Sequence, residues 1–306
     1  PLTFTNNAFS LSSFNSISLL LAVVALVSGM YFDGLRLQRL VKIGGYKLSI
    51  RAVLRVIFSN YFMAMLTPGA SGGAVAQVLV LRSYGVPISK GTPIVLIRTV
   101  FSIMFLVIML PLVFLRDAIE IPYISRDMLL IFAVLAVIAA LVGTYILQTK
   151  YMRQFVYNLA QRFKAHNTKD WLSKLETLNQ GLGLLYKQPV QSLIVFIESG
   201  LSLLCLYCIA PALMYAFTPD IPIIDILDRM ILLNLILYFA PTPGGTGIAE
   251  GLFVVLFSAF VPNGTVGIIA VGWRVVAEYM PFFIGMYAVL TLYGRQFVAQ
   301  ETSREQ

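Results

Sequence analysis

Charge is scarce in this chain. Only 12% of its 306 residues are Asp, Glu, Lys or Arg, about half of what a soluble domain carries. That scarcity excludes an ordinary soluble globular domain. With 58% hydrophobic residues and a mean hydropathy of +0.84, the composition is that of a membrane protein. Histidine and cysteine are almost missing as well: His166 is the one histidine, and Cys205 and Cys208 are the only cysteines. A four-ligand zinc site cannot be assembled from these. The C-x-x-C they form lies in an apolar run and reads as two small apolar residues on a helix. Sustained period-two alternation is absent too, which argues against a β-barrel. The net charge of +8 does not indicate nucleic acid, because the bases gather between apolar runs, as in cytoplasmic loops. We therefore expect no metal, no cofactor and no nucleic-acid partner.

What the chain does have is long apolar runs. Full-length spans are expected at about 14–32, 92–115, 128–148, 191–217 and 266–291. Two more apolar regions, about 53–83 and 230–261, are interrupted by Pro-Gly clusters. Their halves are too short to cross a bilayer and read as re-entrant helices. The segment after the first span carries Arg36, Arg39, Lys42, Lys47, Arg51 and Arg55 against Asp33, and is read as a cytoplasmic loop. Residues 116–127 and 218–229 lack a basic excess and read as external. The stretch 149–190 is basic, with Phe155, Val156, Leu159 and Phe163 at helical spacing. It reads as an amphipathic segment at the cytoplasmic interface. The C-terminal tail, with Arg295 and Arg304, then lies inside, in a multi-pass inner-membrane protein. The polar Thr/Asn/Ser stretch after Pro1 looks more like an inter-helix loop than a native start, so a preceding helix is expected.

The two interrupted regions repeat each other. Thr67-Pro68-Gly69-Ala70-Ser71-Gly72 matches Thr242-Pro243-Gly244-Gly245-Thr246-Gly247 in residue type, and each is followed about thirty residues later by an arginine, Arg98 or Arg274. The expected fold is therefore an all-α polytopic membrane protein with an inverted-topology repeat. Each unit is span, re-entrant hairpin, span. Repeat 1 covers 14–115 and repeat 2 covers 191–291, with helix 128–148 connecting them within one transmembrane domain, 1–306.

At each tip, proline stops the incoming helix and glycine permits a tight turn. The outgoing helix starts near Gly72 or Gly247, where free N–H groups and the helix dipole favour an anion. Ser71 and Thr246 could cap those starts or donate hydroxyls. Tight packing of two turns at a pseudo-two-fold axis is the alternative use of the same glycines. Arg98, Glu250, Arg274 and Glu278 fall in apolar segments, where each is costly unless satisfied. Arg274 and Glu278, spaced i, i+4, could simply neutralise each other, and Arg98 could reach the cytoplasmic surface. Glu198 is a lesser candidate, and Gln77 roughly mirrors Glu250. Two arginines beside two anion-favouring tips suggest a path for a phosphate-bearing head group.

Pro241-Thr242-Pro243-Gly244-Gly245-Thr246-Gly247-Ile248-Ala249-Glu250-Gly251 resembles the P-T-P-G-G-x-G-x-x-E-G signature of the lysylphosphatidylglycerol synthase transmembrane-region, or flippase-like, family. The resemblance covers essentially the whole chain. Ala74 stands near where the commoner first-tip pattern carries an acidic residue. The family includes the membrane half of the multiple peptide resistance factor, which moves aminoacylated phosphatidylglycerol between leaflets; other relatives are associated with glycolipid and polyprenyl-phosphate pathways. The resemblance implies a lipid transporter with a phospholipid or polyprenyl-phosphate-linked substrate, and is compatible with a homo-oligomer. The rival readings are an intramembrane enzyme on a lipid phosphate and a transporter of a small soluble anion. The enzyme reading lacks paired carboxylates on one face, a His-Asp couple or a metal cluster, so no catalytic residue is assigned.

Overall fold

The computed structural model describes residues 14–116, 126–146, 183 and 188–302. The segment expected at the cytoplasmic interface, 149–190, lies almost wholly outside these residues, as do most of the loop at 116–127, the stretch after Pro1 and the end of the tail.

The described residues are helical, with no strand among them. Helix α1 runs Ser16–Ile43, α2 Ile50–Leu66, α3 Ser71–Ser83, α4 Ile88–Leu115 and α5 Arg126–Ile146. They are followed by α6 Pro189–Tyr207, α7 Ile209–Met214, α8 Ile223–Leu237 and α9 Ile248–Phe257. Helix α10, Val266–Arg274, passes through a π-helical turn, Val275–Tyr279, into α11, Met280–Thr302.

Among the described residues, four helical stretches are long and apolar enough to cross a membrane: Ser16–Ile43, Ile88–Leu115, Pro189–Met214 and Val266–Leu292. The connecting helix expected at 128–148 corresponds in position to α5, of which Asp127–Ala139 counts as a shorter apolar helix rather than a full span. The two interrupted regions are the helix pairs α2/α3 and α8/α9, whose helices have 17, 13, 15 and 10 residues. Each falls short of the roughly 20 residues that a spanning helix needs.

One expectation fails. Residues 33–43 are not a loop after the first span, because α1 continues to a break at Gly44-Gly45. No proline interrupts the run before that pair, so nothing ends the helix where its apolar stretch ends. Asp33 and Arg36 are consequently carried into the bundle and are buried.

Packing follows the rules of helices in lipid, where small residues permit close approach and polar groups lock it. Helix α1 lies along α6. A Cβ at Gly29 would sit 2.6 Å from Leu206 Cγ, and the Ser202 hydroxyl donates to the Gly29 carbonyl at 2.9 Å. Helix α11 lies on α2, where a Cβ at Gly285 would be only 2.1 Å from the Phe58 carbonyl oxygen. Helix α4 meets α8 in turn. The opposite faces are apolar and open: Ile17, Leu20, Leu21, Val24 and Val27 on α1, and Ile131, Phe132, Leu135 and Ile138 on α5. Soluble helices hide such residues, whereas a bilayer solvates them.

Candidate functional site

The two tips share the conformation of their central turn, and then diverge: Gly247 has φ 83° where Gly72 has no positive φ, and α9 starts two residues later than α3. In the first, φ is positive at Gly69 (61°) and Ala70 (53°); in the second, at Gly244 (58°) and Gly245 (66°). Positive φ at both central positions is the mark of a type I′ turn. The Ser71 N–H donates to the Pro68 carbonyl at 3.5 Å and the Thr246 N–H to the Pro243 carbonyl at 3.1 Å. The hydroxyls of the same residues do likewise, at 3.1 Å and 2.8 Å. The tips also touch: Pro68 and Pro243 form an isolated antiparallel bridge. Proline has no N–H, so only the flanking Gly69 and Gly244 can donate across such a pair. Pro68, Gly69, Ala70, Ser71, Pro243, Thr246 and Gly247 are exposed rather than packed.

The helix starts are closed differently. Thr67 caps α3: its hydroxyl accepts the Gly72 N–H at 2.8 Å and donates to the Met63 carbonyl at 2.8 Å. Capping by Ser71 or Thr246 was expected, but those hydroxyls turn back to proline carbonyls. At the second tip, Glu250 accepts the Gly247 N–H at 2.7 Å, the returning half of a capping box. A carboxylate of the chain itself therefore occupies the anion-favouring start of α9. The Thr242 hydroxyl, equivalent to that of Thr67, is buried without a partner.

Arg274 draws the second tip together. It is 1% exposed and donates to Glu250 at 2.9 Å, to the Gly244 carbonyl at 2.9 Å and to the Thr246 hydroxyl at 3.3 Å. It also pairs with Glu278 across the π-turn. Such single turns are frequent where a helix serves a site. The carboxylates remain partly open, with side chains 30% exposed at Glu250 and 21% at Glu278. Thus Gly244, Thr246, Gly247, Glu250, Arg274 and Glu278, all expected from sequence, form one cluster.

Arg98 does not join it, nor does it reach the cytoplasmic surface. It is buried in a cluster of its own with Asp33 and Gln77. Gln77 donates to Asn60 at 2.7 Å, which ties the cluster to the helix leading into the first tip. Arg36 pairs with the same Asp33 and donates to the Ser102 hydroxyl at 2.8 Å. Sequence reasoning missed Asp33, Arg36 and Ser102. The uninterrupted helical run up to Gly44-Gly45, with Asp33 and Arg36 at i, i+3, was the available signal. Glu198 is paired with Arg39 at 2.7 Å, which fastens α6 to α1.

The sequence model of the lysylphosphatidylglycerol synthase TM region matches residues 4–285. A UPF0104 membrane protein of Archaeoglobus fulgidus is 22% identical over 288 residues, which cover 90% of this chain and 86% of that protein.

Proposed function

Because the chain belongs to the lysylphosphatidylglycerol synthase transmembrane-region family, whose name ties it to lipid handling, we propose that it carries a phosphate-bearing lipid between leaflets and is a transporter, not an enzyme. The observation that carries this reading is the contact of two like turns, Pro68 against Pro243, each joining helices too short to span. An inverted repeat would account for it, because a two-fold axis through such a bridge would relate equivalent residues. The neighbours follow the same relation: α1 lies along α6, and the pairing of α2 with α11 answers that of α8 with α4. Such a pivot, flanked by buried charge, suits alternating access around a central head-group site. On this reading the protein sits in the inner membrane with its C-terminus in the cytoplasm, and self-association is compatible with the scheme.

Leaflet-resolved transport in proteoliposomes, with a panel of fluorescent lipids that differ only in head group, tests the function. We expect phosphate-bearing lipids to equilibrate and diacylglycerol movement to be no faster than in empty vesicles. Equal rates with and without protein for every lipid would end the transport reading. Cysteines at positions 45 and 85 should label from the same face. Labelling from opposite faces would make α2/α3 a discontinuous span.

A further inference from the structure

From Gly34 to Leu115 every charged residue is Lys or Arg. Arg36, Arg39 and Arg98 meet acids inside the bundle. The other six, Lys42, Lys47, Arg51, Arg55, Arg82 and Lys90, form no ion pair among the described residues, and all but Arg55 are exposed. The fold brings them to one end of the molecule. Lys42 lies in the last turn of α1, Arg51 and Arg55 near the start of α2, Arg82 in the last turn of α3 and Lys90 near the start of α4. Arg55 donates to the Tyr84 hydroxyl at 2.7 Å, which joins α2 to the connection between α3 and α4. A Cβ at Gly44 would lie 3.1 Å from Ile94 Cδ1, so the end of α1 stands against the start of α4. Neither α2 nor α4 has an acid in its first turn. At the other end of α4, by contrast, Arg116 meets Asp228 at 3.3 Å.

A second observation says what such a surface meets. Large apolar side chains stand exposed among the cations: Ile50 at 73%, Leu54 at 41% and Ile88 at 43%. Tyr46 and Tyr84 are half-buried at the same end. The head-group layer of a bilayer takes all three types, since lipid phosphates meet the cations, the acyl boundary meets Ile and Leu, and tyrosine bridges the two. A soluble acidic partner or a free phosphate would match the charge and leave the apolar side chains in water.

We infer that this end of the first helix pair is a docking surface for anionic lipid, with Lys42, Lys47, Arg51, Arg55, Arg82 and Lys90 gathering the phosphates of the leaflet they face. Clusters of four to eight cations at the ends of membrane helices attract anionic head groups in this way. The surface is separate from the tips and does not rest on the transport reading. Where lipid is also carried, it raises the concentration of anionic lipid beside the first hairpin.

Spin-labelled lipids test it, with the purified full chain in phosphatidylcholine nanodiscs that carry a trace of labelled phosphatidylglycerol or labelled phosphatidylcholine. Electron paramagnetic resonance reads the fraction of each label held at the protein. The wild type should hold phosphatidylglycerol in preference, and the preference should shrink as salt rises from about 0.01 M to about 1 M, because exposed charges are screened. Arg82→Gln with Lys90→Gln removes two of the six cations and should lower the logarithm of the preference by about a third, each cation adding a similar increment. Arg82→Lys with Lys90→Arg should keep it. Adding Lys42→Gln, Lys47→Gln and Arg51→Gln should bring it close to none. The Tm in the same discs identifies variants that are folded, and the wild-type salt series decides the matter if the fivefold variant does not fold. Equal retention of the two lipids by the wild type at low salt would overturn the surface. So would a preference that survives both high salt and the folded fivefold variant. Salt-sensitive capture of polyglutamate by a wild type without lipid preference would reassign the surface to an acidic protein and likewise overturn it. Transport is read separately: preference without lipid movement removes transport and leaves the surface, and movement without preference does the reverse.

Discussion

The tip between α2 and α3 and the tip between α8 and α9 share a turn, with positive φ at Gly69 and Ala70 and at Gly244 and Gly245, but part after it and are closed by different chemistry. The first is held locally, by the hydroxyl of Thr67 on the Gly72 N–H, and its arginine is set back in a sealed cluster with Asp33. The second is held from a distance: Arg274 reaches from α10 to the Gly244 carbonyl and Thr246 hydroxyl, and Glu250 joins the helix start to that arginine. A turn conformation constrains φ and ψ but not the groups that satisfy its ends, so two copies of one turn can diverge in charge. Here the first cluster has two arginines against one acid and the second has two acids against one arginine.

The comparison breaks most visibly at the acids. Asp33→Asn leaves two buried arginines without a carboxylate and should cost about 3–5 kcal/mol, the range for breaking a buried pair from one side. Glu250→Gln leaves Arg274 with Glu278 and two neutral acceptors, and should cost about 1–2 kcal/mol, nearer a single hydrogen bond to a charged group. Chemical unfolding in mixed micelles ranks the two. An equal or larger loss in Glu250→Gln would show that the second cluster is no more redundant than the first.

Arg274→Gln exposes the surplus of acid at the second tip, because Glu250 and Glu278 then face each other without a cation. We expect a loss of about 3 kcal/mol, at least half of it recovered when Glu278→Gln is added. No recovery in the double variant, measured by the same unfolding assay, would mean that Arg274 stabilises the tip through Gly244 and Thr246 rather than through charge.

The caps should respond in opposite directions. Thr67→Val removes a bonded cap, a loss of about 1 kcal/mol. Thr242→Val removes a hydroxyl that is buried and unbonded, and should be neutral or stabilising. If both variants lose stability equally, as read from paired Tm values, the two threonines have the same role.

The smallest effect is at Ala70, the one described residue other than glycine with positive φ. Ala70→Gly makes the first turn chemically like the second and should stabilise by a few tenths to about 1 kcal/mol. Gly245→Ala should cost more than that, since its Cβ would lie 3.1 Å from Leu237 Cδ2 in addition to the backbone strain. A destabilising Ala70→Gly would place the turn's preference outside backbone conformation.

Much of the architecture was legible in the sequence for local reasons. Apolar runs long enough to span must be helices in a bilayer, since no other open structure satisfies their backbone groups. Pro-Gly in the middle of an apolar run must break it, and the repeated Thr-Pro-Gly marked both breaks. The second cluster was legible as well, because Glu250, Arg274 and Glu278 lie within thirty residues and one i, i+4 pair. The first cluster was not. Asp33 and Arg36 come from α1, Gln77 from α3 and Arg98 from α4, and nothing in their spacing joins them. Charge counting placed residues 33–43 in a loop because it reads composition and not helix continuity.

The sequence by itself determined the membrane class, the helices, the two breaks and the residues at them. These follow from hydrophobicity, from the fixed φ and missing N–H of proline, and from the freedom of glycine, all of which act within a few residues. Only the tertiary structure decided that the tips meet through Pro68 and Pro243 and that Asp33 serves two arginines. It alone decided that two arginines share one acid in the first cluster while two acids share one arginine in the second. Those outcomes depend on which helix faces pack together, and therefore on contacts between residues far apart in the chain.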